Sequence, residues 1–174
     1  MVVLRATQKV LRLLPDIAGD PAASSAALGD WYVNRIVIDR RPLLLLVSSA
    51  SRLAIVAAAR DVKELPQRLA VLVEGRIQRL GIEAAALVSE VQASTLVRIG
   101  KTVDRSVTGQ MVDFAKAIPY YLPEREWGEA DLEFVENRLA ETPCRAGGSF
   151  KDVIFPRETA IRLLESHWSR RVRH

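Results

Sequence analysis

The strongest constraint on the fold comes from three apolar runs that follow one another over residues 31–59. WYVNRIVI is followed by the polar turn DRRP at 39–42, LLLLVSS comes next, and SAS at 49–51 precedes RLAIVAAA. In the first run Trp31, Val33 and Val37 alternate with Tyr32, Asn34, Ile36 and Ile38, so both faces carry apolar side chains, as in a strand that is buried on both sides. Short connections between consecutive strands predict an antiparallel β-meander.

The remaining chain changes to helical periodicity. Apolar residues recur every three or four positions, which predicts helices over 66–80, 82–92, 103 to about 119 or 123, 130–141 and 156–168. Residues 2–6 predict a short edge strand, and 94–100 predict another strand. We therefore expect an α+β fold, with a small antiparallel β-meander covered by amphipathic helices.

The length of 174 residues fits one domain over 1–174. A Gly-, Pro- and Ser-rich stretch predicts a flexible surface loop over 16–30, and the basic end predicts a tail over 169–174. A composition that is 49% hydrophobic excludes a disordered chain.

Cys144 is the only cysteine, which excludes an intramolecular disulfide and favours a reducing, cytoplasmic location.

The apolar stretch 42–59 is interrupted by serines and an arginine, so we expect no membrane span and a soluble protein. We also expect no metal and no cofactor, because neither metal-ligand spacing nor a glycine-rich nucleotide loop occurs.

The formal net charge is +4, and the C-terminal SRRVRH alone carries three arginines. A basic balance permits binding to nucleic acid or another polyanion. One place for such binding is RIGKTVDRSVTG at 98–109, where Lys101, Arg105 and Ser106 would surround a phosphate at a helix start. The alternative is a solvated helix end that is capped by Asp104 or Thr102.

A second polar cluster combines Trp31 and Asn34 with Arg40 and Arg41. An exposed tryptophan beside arginines and an amide could stack on and hydrogen-bond to an unpaired base. The alternative is a core tryptophan on a central strand, with turn arginines in water.

Catalytic groups are few. The only histidines are His167 and His174, and no GxSxG elbow presents a serine to either. Cys144, next to Arg145, is either a thiolate of low pKa or a structural cysteine. Asp113 is the candidate acid or base, and the alternative is a solvated carboxylate.

These motifs together resemble a family of small bacterial proteins that is known only as a domain of unknown function. The resemblance spans most of residues 1–122, and no activity comes with it. It rests on a Thr-Lys-Lys-like start, a Trp-x-x-Asn strand, an Arg-Arg turn and a Lys-Thr-x-x-Arg-Ser motif, which correspond here to Thr7 and Lys9, Trp31 and Asn34, Arg40 and Arg41, and Lys101, Thr102, Arg105 and Ser106. Gln8 and the turn SSASR at 48–52 depart from the pattern.

The sequence favours a non-catalytic module that binds a polyanion, namely nucleic acid, through Lys101, Arg105, Ser106, Arg40 and Arg41. One alternative is an enzyme that acts on a phosphate-bearing substrate, nuclease-like, with Asp113 as acid or base. The other is a protein partner in a two-gene bacterial system.

Overall fold

The predicted meander is present as three consecutive antiparallel strands within residues 31–58. The computed structural model describes residues 1–15, 21–146 and 152–171. Its strands are β1 (Val2–Ala6), β2 (Trp31–Ile38), β3 (Arg41–Ser48), β4 (Ala54–Ala58), β5 (Val97–Lys101), β6 (Cys144–Arg145) and β7 (Val153–Ile154). Its helices are α1 (Gln8–Leu11), α2 (Leu65–Gln78), α3 (Ala84–Ala93), α4 (Arg105–Tyr121), α5 (Glu129–Ala140) and α6 (Pro156–Arg171). The predicted α+β fold is confirmed.

The register of the meander defines its two ends. β2 pairs antiparallel with β3, with Ile38 opposite Arg41 at one end and Trp31 opposite Ser48 at the other. The tight turn at the first end uses Asp39 and Arg40, both at positive φ, a backbone conformation that such two-residue hairpin turns require.

β1 is not the edge strand that its position in the sequence predicts. The sheet order is β4-β3-β2-β1-β5, and β1 pairs in parallel with both β2 and β5. All five residues of β1 are buried. Its interior place depends on pairing with residues far away in the chain, which local sequence does not reveal.

Helices cover both faces of this sheet. One face packs on α2, α3 and α6 and holds the core side chains Leu4, Trp31, Val33, Leu46, Leu69, Ile77 and Leu164, among others. The other face packs on α4 and α5 and holds Tyr32, Leu45, Val47, Val107, Phe114 and Val135, among others. The alternation predicted for β2 therefore places Trp31 and Val33 against one helical layer and Tyr32 and Ile38 against the other, whereas Val37 is exposed.

Parts of the predicted loop and tail lie outside the described residues, namely 16–20 and 172–174. The described end of the loop is not wholly at the surface, because Ala26, Ala27 and Leu28 are buried in the core. Residues 169–171 continue α6. In the described part of the chain, no helix is both long and apolar enough to cross a membrane.

Candidate anion-binding cleft along helix α4

The stretch 98–109 contains the end of β5 and the capped start of α4. One carboxylate oxygen of Asp104 accepts hydrogen bonds from Ser106 N (2.7 Å) and Val107 N (3.4 Å). The predicted helix cap is therefore confirmed, and its residue is Asp104. Because Asp104 already occupies these two N–H groups, side chains must supply the donors of any anion site here.

The nearest buried cation is Arg52, in the turn between β3 and β4. This residue is only 3% exposed. One guanidinium nitrogen donates to Ser106 Oγ (3.2 Å) and another donates to the carbonyl oxygen of Ser49. Its Nε is buried and has no hydrogen-bond partner among the described residues. Burial lowers the pKa of Arg52, and the negative charge of Asp104 opposes that shift.

An open cleft of about 570 Å³ runs along α4 beside Ser106. Its polar lining is Arg105, Ser106, Gln110, Asp113, Thr142 and Arg145. On α4 the positions 106, 110, 113 and 117 lie on one side of the helix because they are three or four residues apart. The structure thus brings together three predicted residues, Arg105, Ser106 and Asp113, and adds Arg145 from β6. We call this the α4 cleft.

Lys101 does not line the α4 cleft. It is exposed at the end of β5, where it lies opposite Ala6 of β1. Directly paired residues point to the same face of a sheet, and Ala6 belongs to the core on the α2 side. Lys101 therefore leaves the sheet on the face opposite α4, although it is only four residues from Arg105.

The second predicted cluster does not form a site. Trp31 is fully buried in the core on the α2 side, so of the two interpretations given for this residue the structure fits the core tryptophan, and its ring is not available to a base. Asn34 accepts a hydrogen bond from Thr7 Oγ1 (2.9 Å). Arg41 lies over the ring of Trp127, with its guanidinium carbon 3.8 Å from the ring centroid, and this pairing ties the hairpin turn to the segment after α4.

Arg40 and Arg41 also lie far from the α4 cleft. They are at the first end of β3, whereas Arg52 follows its last residue, Ser48. Eight residues of strand span about 23 Å at roughly 3.3 Å per residue. The two predicted clusters are therefore at opposite ends of the hairpin, and the single basic surface predicted from them is wrong.

Cys144 is buried beneath the α4 cleft and is not a reactive thiolate. Burial raises its pKa to about 12, and Arg52 lowers the pKa by less than burial raises it. Its Sγ donates to the carbonyl oxygen of Thr142 (3.3 Å). The structural interpretation of this cysteine is thus the correct one.

His167 supplies no base to Ser106. His167 lies on α6, which packs on the other face of the sheet, and its ring contacts Trp168 edge to face. His174, Arg173 and the side chains of Arg170 and Arg171 lie outside the described part of the chain. Within the described ranges, no cluster of three or more His, Cys, Asp or Glu side chains could hold a metal ion.

Three residues of interest escaped prediction from sequence. Arg52 is in a serine-rich turn, and nothing local indicates that it is buried beside Ser106. Arg145 enters the α4 cleft only because β6 folds back against α4. Tyr120 is 87% exposed and lies one helical turn beyond Ala117 on the cleft side of α4; its exposure depends on which face of α4 is buried.

Comparison with known proteins agrees with the resemblance seen in the sequence. A search of curated proteins finds no match to this chain. A family model, described as a domain of unknown function (DUF6933), matches residues 3–159. The match runs from β1 into the first turn of α6 and includes the whole α4 cleft. The chain therefore belongs to the DUF6933 family, a domain of unknown function.

Proposed function

We propose that this protein is a non-catalytic module that binds phosphate groups of single-stranded nucleic acid in the α4 cleft. The observation that carries the proposal is that one open cleft brings together Ser106 and two arginines, with the buried Arg52 donating to Ser106 Oγ from behind. Arg105 and Arg145 line the same cleft. Guanidinium groups suit phosphate because their donors form a planar fork that matches its oxygens.

The shape of the cleft favours a chain-like ligand over a small anion. It is open and extends along α4 from Arg105 to Ala117. Tyr120 continues the same side of the helix and presents an exposed ring on which a base could stack. A cationic groove followed by an exposed aromatic is the combination that sequence-independent single-strand binding uses.

The acidic groups near the cleft set a limit on affinity. Asp113 lines the cleft and Asp104 caps α4 beside it. Each would repel a phosphate, so binding should depend on the surrounding arginines and should weaken as the salt concentration rises. Asp113→Asn should tighten binding because it removes one of these repulsions.

The first test is fluorescence anisotropy with fluorescein-labelled oligothymidylate and oligouridylate, titrated at several salt concentrations between about 50 and 200 mM. Arg105→Ala and Arg145→Ala should each weaken binding. Each should also reduce the slope of log K against log salt by about 0.7, the value for one lost phosphate contact on a single strand.

Arg40→Ala is the matched control, because it removes the same charge from an exposed position at the other end of the hairpin. It should leave affinity and slope unchanged. If Arg40→Ala weakens binding as much as Arg105→Ala, binding follows net charge and the cleft is not the site. If the wild-type protein shows no binding at low salt, the proposed function is wrong.

A second candidate is an enzyme that cleaves a phosphate-bearing substrate, because Asp113 lies in the same cleft as Arg105 and Ser106. In that case the arginine would stabilise charge on the phosphate and Asp113 would move a proton. A labelled oligonucleotide incubated with the protein distinguishes the two. An intact probe supports the binding module, whereas cleavage that Asp113→Asn abolishes supports the enzyme.

A further inference from the structure

The outer strand β4 forms the floor of a second groove, of about 280 Å³. Four consecutive residues of β4, from Ile55 to Ala58, line it. Successive side chains of a strand point to opposite faces, so only the backbone edge of a strand can present four consecutive residues to one groove. The groove therefore runs along the edge of β4 that is not paired in the sheet.

Hydrogen bonds show which backbone groups point into this groove. Val56 N donates to Glu136 Oε1 (2.8 Å), and Ala54 O accepts from Arg76 Nε (3.0 Å). Both groups therefore point away from β3. Backbone groups alternate along a strand, so those of Ala58 point outward as well. Among the described residues, neither Val56 O nor Ala58 N has a partner.

Half of the edge is closed by a buried ion network. Arg76 is fully buried, and it donates to the Glu136 carbonyl oxygen as well as to Ala54 O. Arg79 donates to the Glu136 carboxylate and approaches Glu133 at 3.4 Å. These side chains satisfy the Ala54 end of β4, as proteins commonly do to block unwanted strand pairing. The Ala58 end is left open.

The walls of the open half carry opposite charges. Arg68 of α2 donates to the carbonyl oxygen of Arg60 (2.9 Å), which holds its guanidinium at the Ala58 end. Glu129 and Glu133 lie on the α5 side, and Leu72 and Leu132 provide apolar surface between the two walls. The groove thus offers two main-chain partners, a small apolar patch and a basic end.

We propose that this groove binds an extended segment of a partner protein, which pairs with β4 as a short sixth strand. In a parallel arrangement, a single residue of that segment donates its N–H to Val56 O and accepts from Ala58 N through its C=O. The segment then runs toward Arg60 and Arg68. We therefore infer that an acidic residue or a terminal carboxylate follows the paired residue.

The test is selection of displayed random peptides on the full-length protein, followed by anisotropy with synthetic copies of the enriched peptides. Ala58→Pro removes the outward N–H but no bond to β3, and proline is tolerated at such edge positions. Arg68→Glu reverses the charge at the basic end, and Arg98→Glu is the matched reversal at an exposed position on β5, the opposite edge of the sheet. Affinity should fall at least tenfold in the first two variants and stay unchanged in the third.

A peptide-side change tests the same contact without altering the fold of the protein. Methylation of the backbone nitrogen of the paired residue should abolish binding, whereas methylation at the neighbouring residue should not. The proposal is overturned if no peptide is enriched over the uncoated support. It is also overturned if the enriched peptides bind Ala58→Pro, folded by circular dichroism, as tightly as the wild type.

Discussion

Glu90 is the residue whose substitution most directly tests how this fold is held together. It lies on α3 and is fully buried. Its carboxylate accepts three hydrogen bonds, from Ala27 N (2.8 Å), Leu28 N (3.0 Å) and Trp168 Nε1 (2.9 Å). These donors belong to the segment before β2 and to α6. One side chain therefore connects three parts of the chain that are distant in sequence.

Glu90→Gln keeps the shape of the side chain and changes only its hydrogen bonding. Oε2 accepts two of the three bonds, so the amide oxygen should take that position and keep Ala27 N and Trp168 Nε1. The amide NH₂ then faces Leu28 N, and that buried donor loses its acceptor, which costs about 1–3 kcal/mol. The two remaining bonds lose their ionic partner, which costs about 1 kcal/mol more.

We therefore expect Glu90→Gln to lower the free energy of unfolding by about 2–4 kcal/mol, a large part of the roughly 5–15 kcal/mol of a typical domain. Urea unfolding followed by tryptophan fluorescence measures it. Glu83→Gln, the same change at the exposed residue before α3, is the control and should cost less than about 0.5 kcal/mol. If Glu90→Gln is as stable as that control, the three bonds do not stabilise the fold and the reasoning is refuted.

Two further predictions concern titratable groups. The pKa of Asp131 lies below its usual value because its carboxylate accepts the Gly128 N–H at the start of α5, with help from Arg125. The stability it provides is therefore present above the ordinary pKa and is lost as pH falls through the lower folded value. Asp131→Asn should destabilise the protein at neutral pH. It should match the wild type at a pH low enough to protonate the Asp131 carboxyl in both the folded and the unfolded state. If urea unfolding shows the same difference in stability at every pH, this prediction is contradicted. Burial raises the pKa of Cys144 to about 12. Its thiol should therefore react with iodoacetamide at pH 8 far more slowly in the native protein than in urea, as followed by mass spectrometry. Equal rates would show that the thiol is accessible in the native protein.

Local sequence was sufficient to predict the features that depend on residues close to one another in the chain. The alternation at 31–38 predicted a strand buried on both faces. Trp31 and Tyr32 do meet different helical layers, whereas Val37 is exposed. Apolar residues three or four positions apart predicted helix α4, and four of them, Val107, Met111, Phe114 and Ile118, form its buried side. Asp104 caps that helix through bonds that span only two and three residues.

Everything that concerns the site depended on residues that are distant in sequence. Parallel pairing places β1 in the middle of the sheet, and the register of β2 with β3 puts Arg40 and Arg52 at opposite ends. Lys101 and Arg105 are close in sequence but lie on opposite sides of the sheet. Periodicity and capping act over a few residues and can be read from the chain itself. Which charged side chains share a cleft follows from how whole elements pair and pack, so only the tertiary structure decided that Arg105 and Arg145 line one cleft and that Arg52 contacts Ser106 behind it.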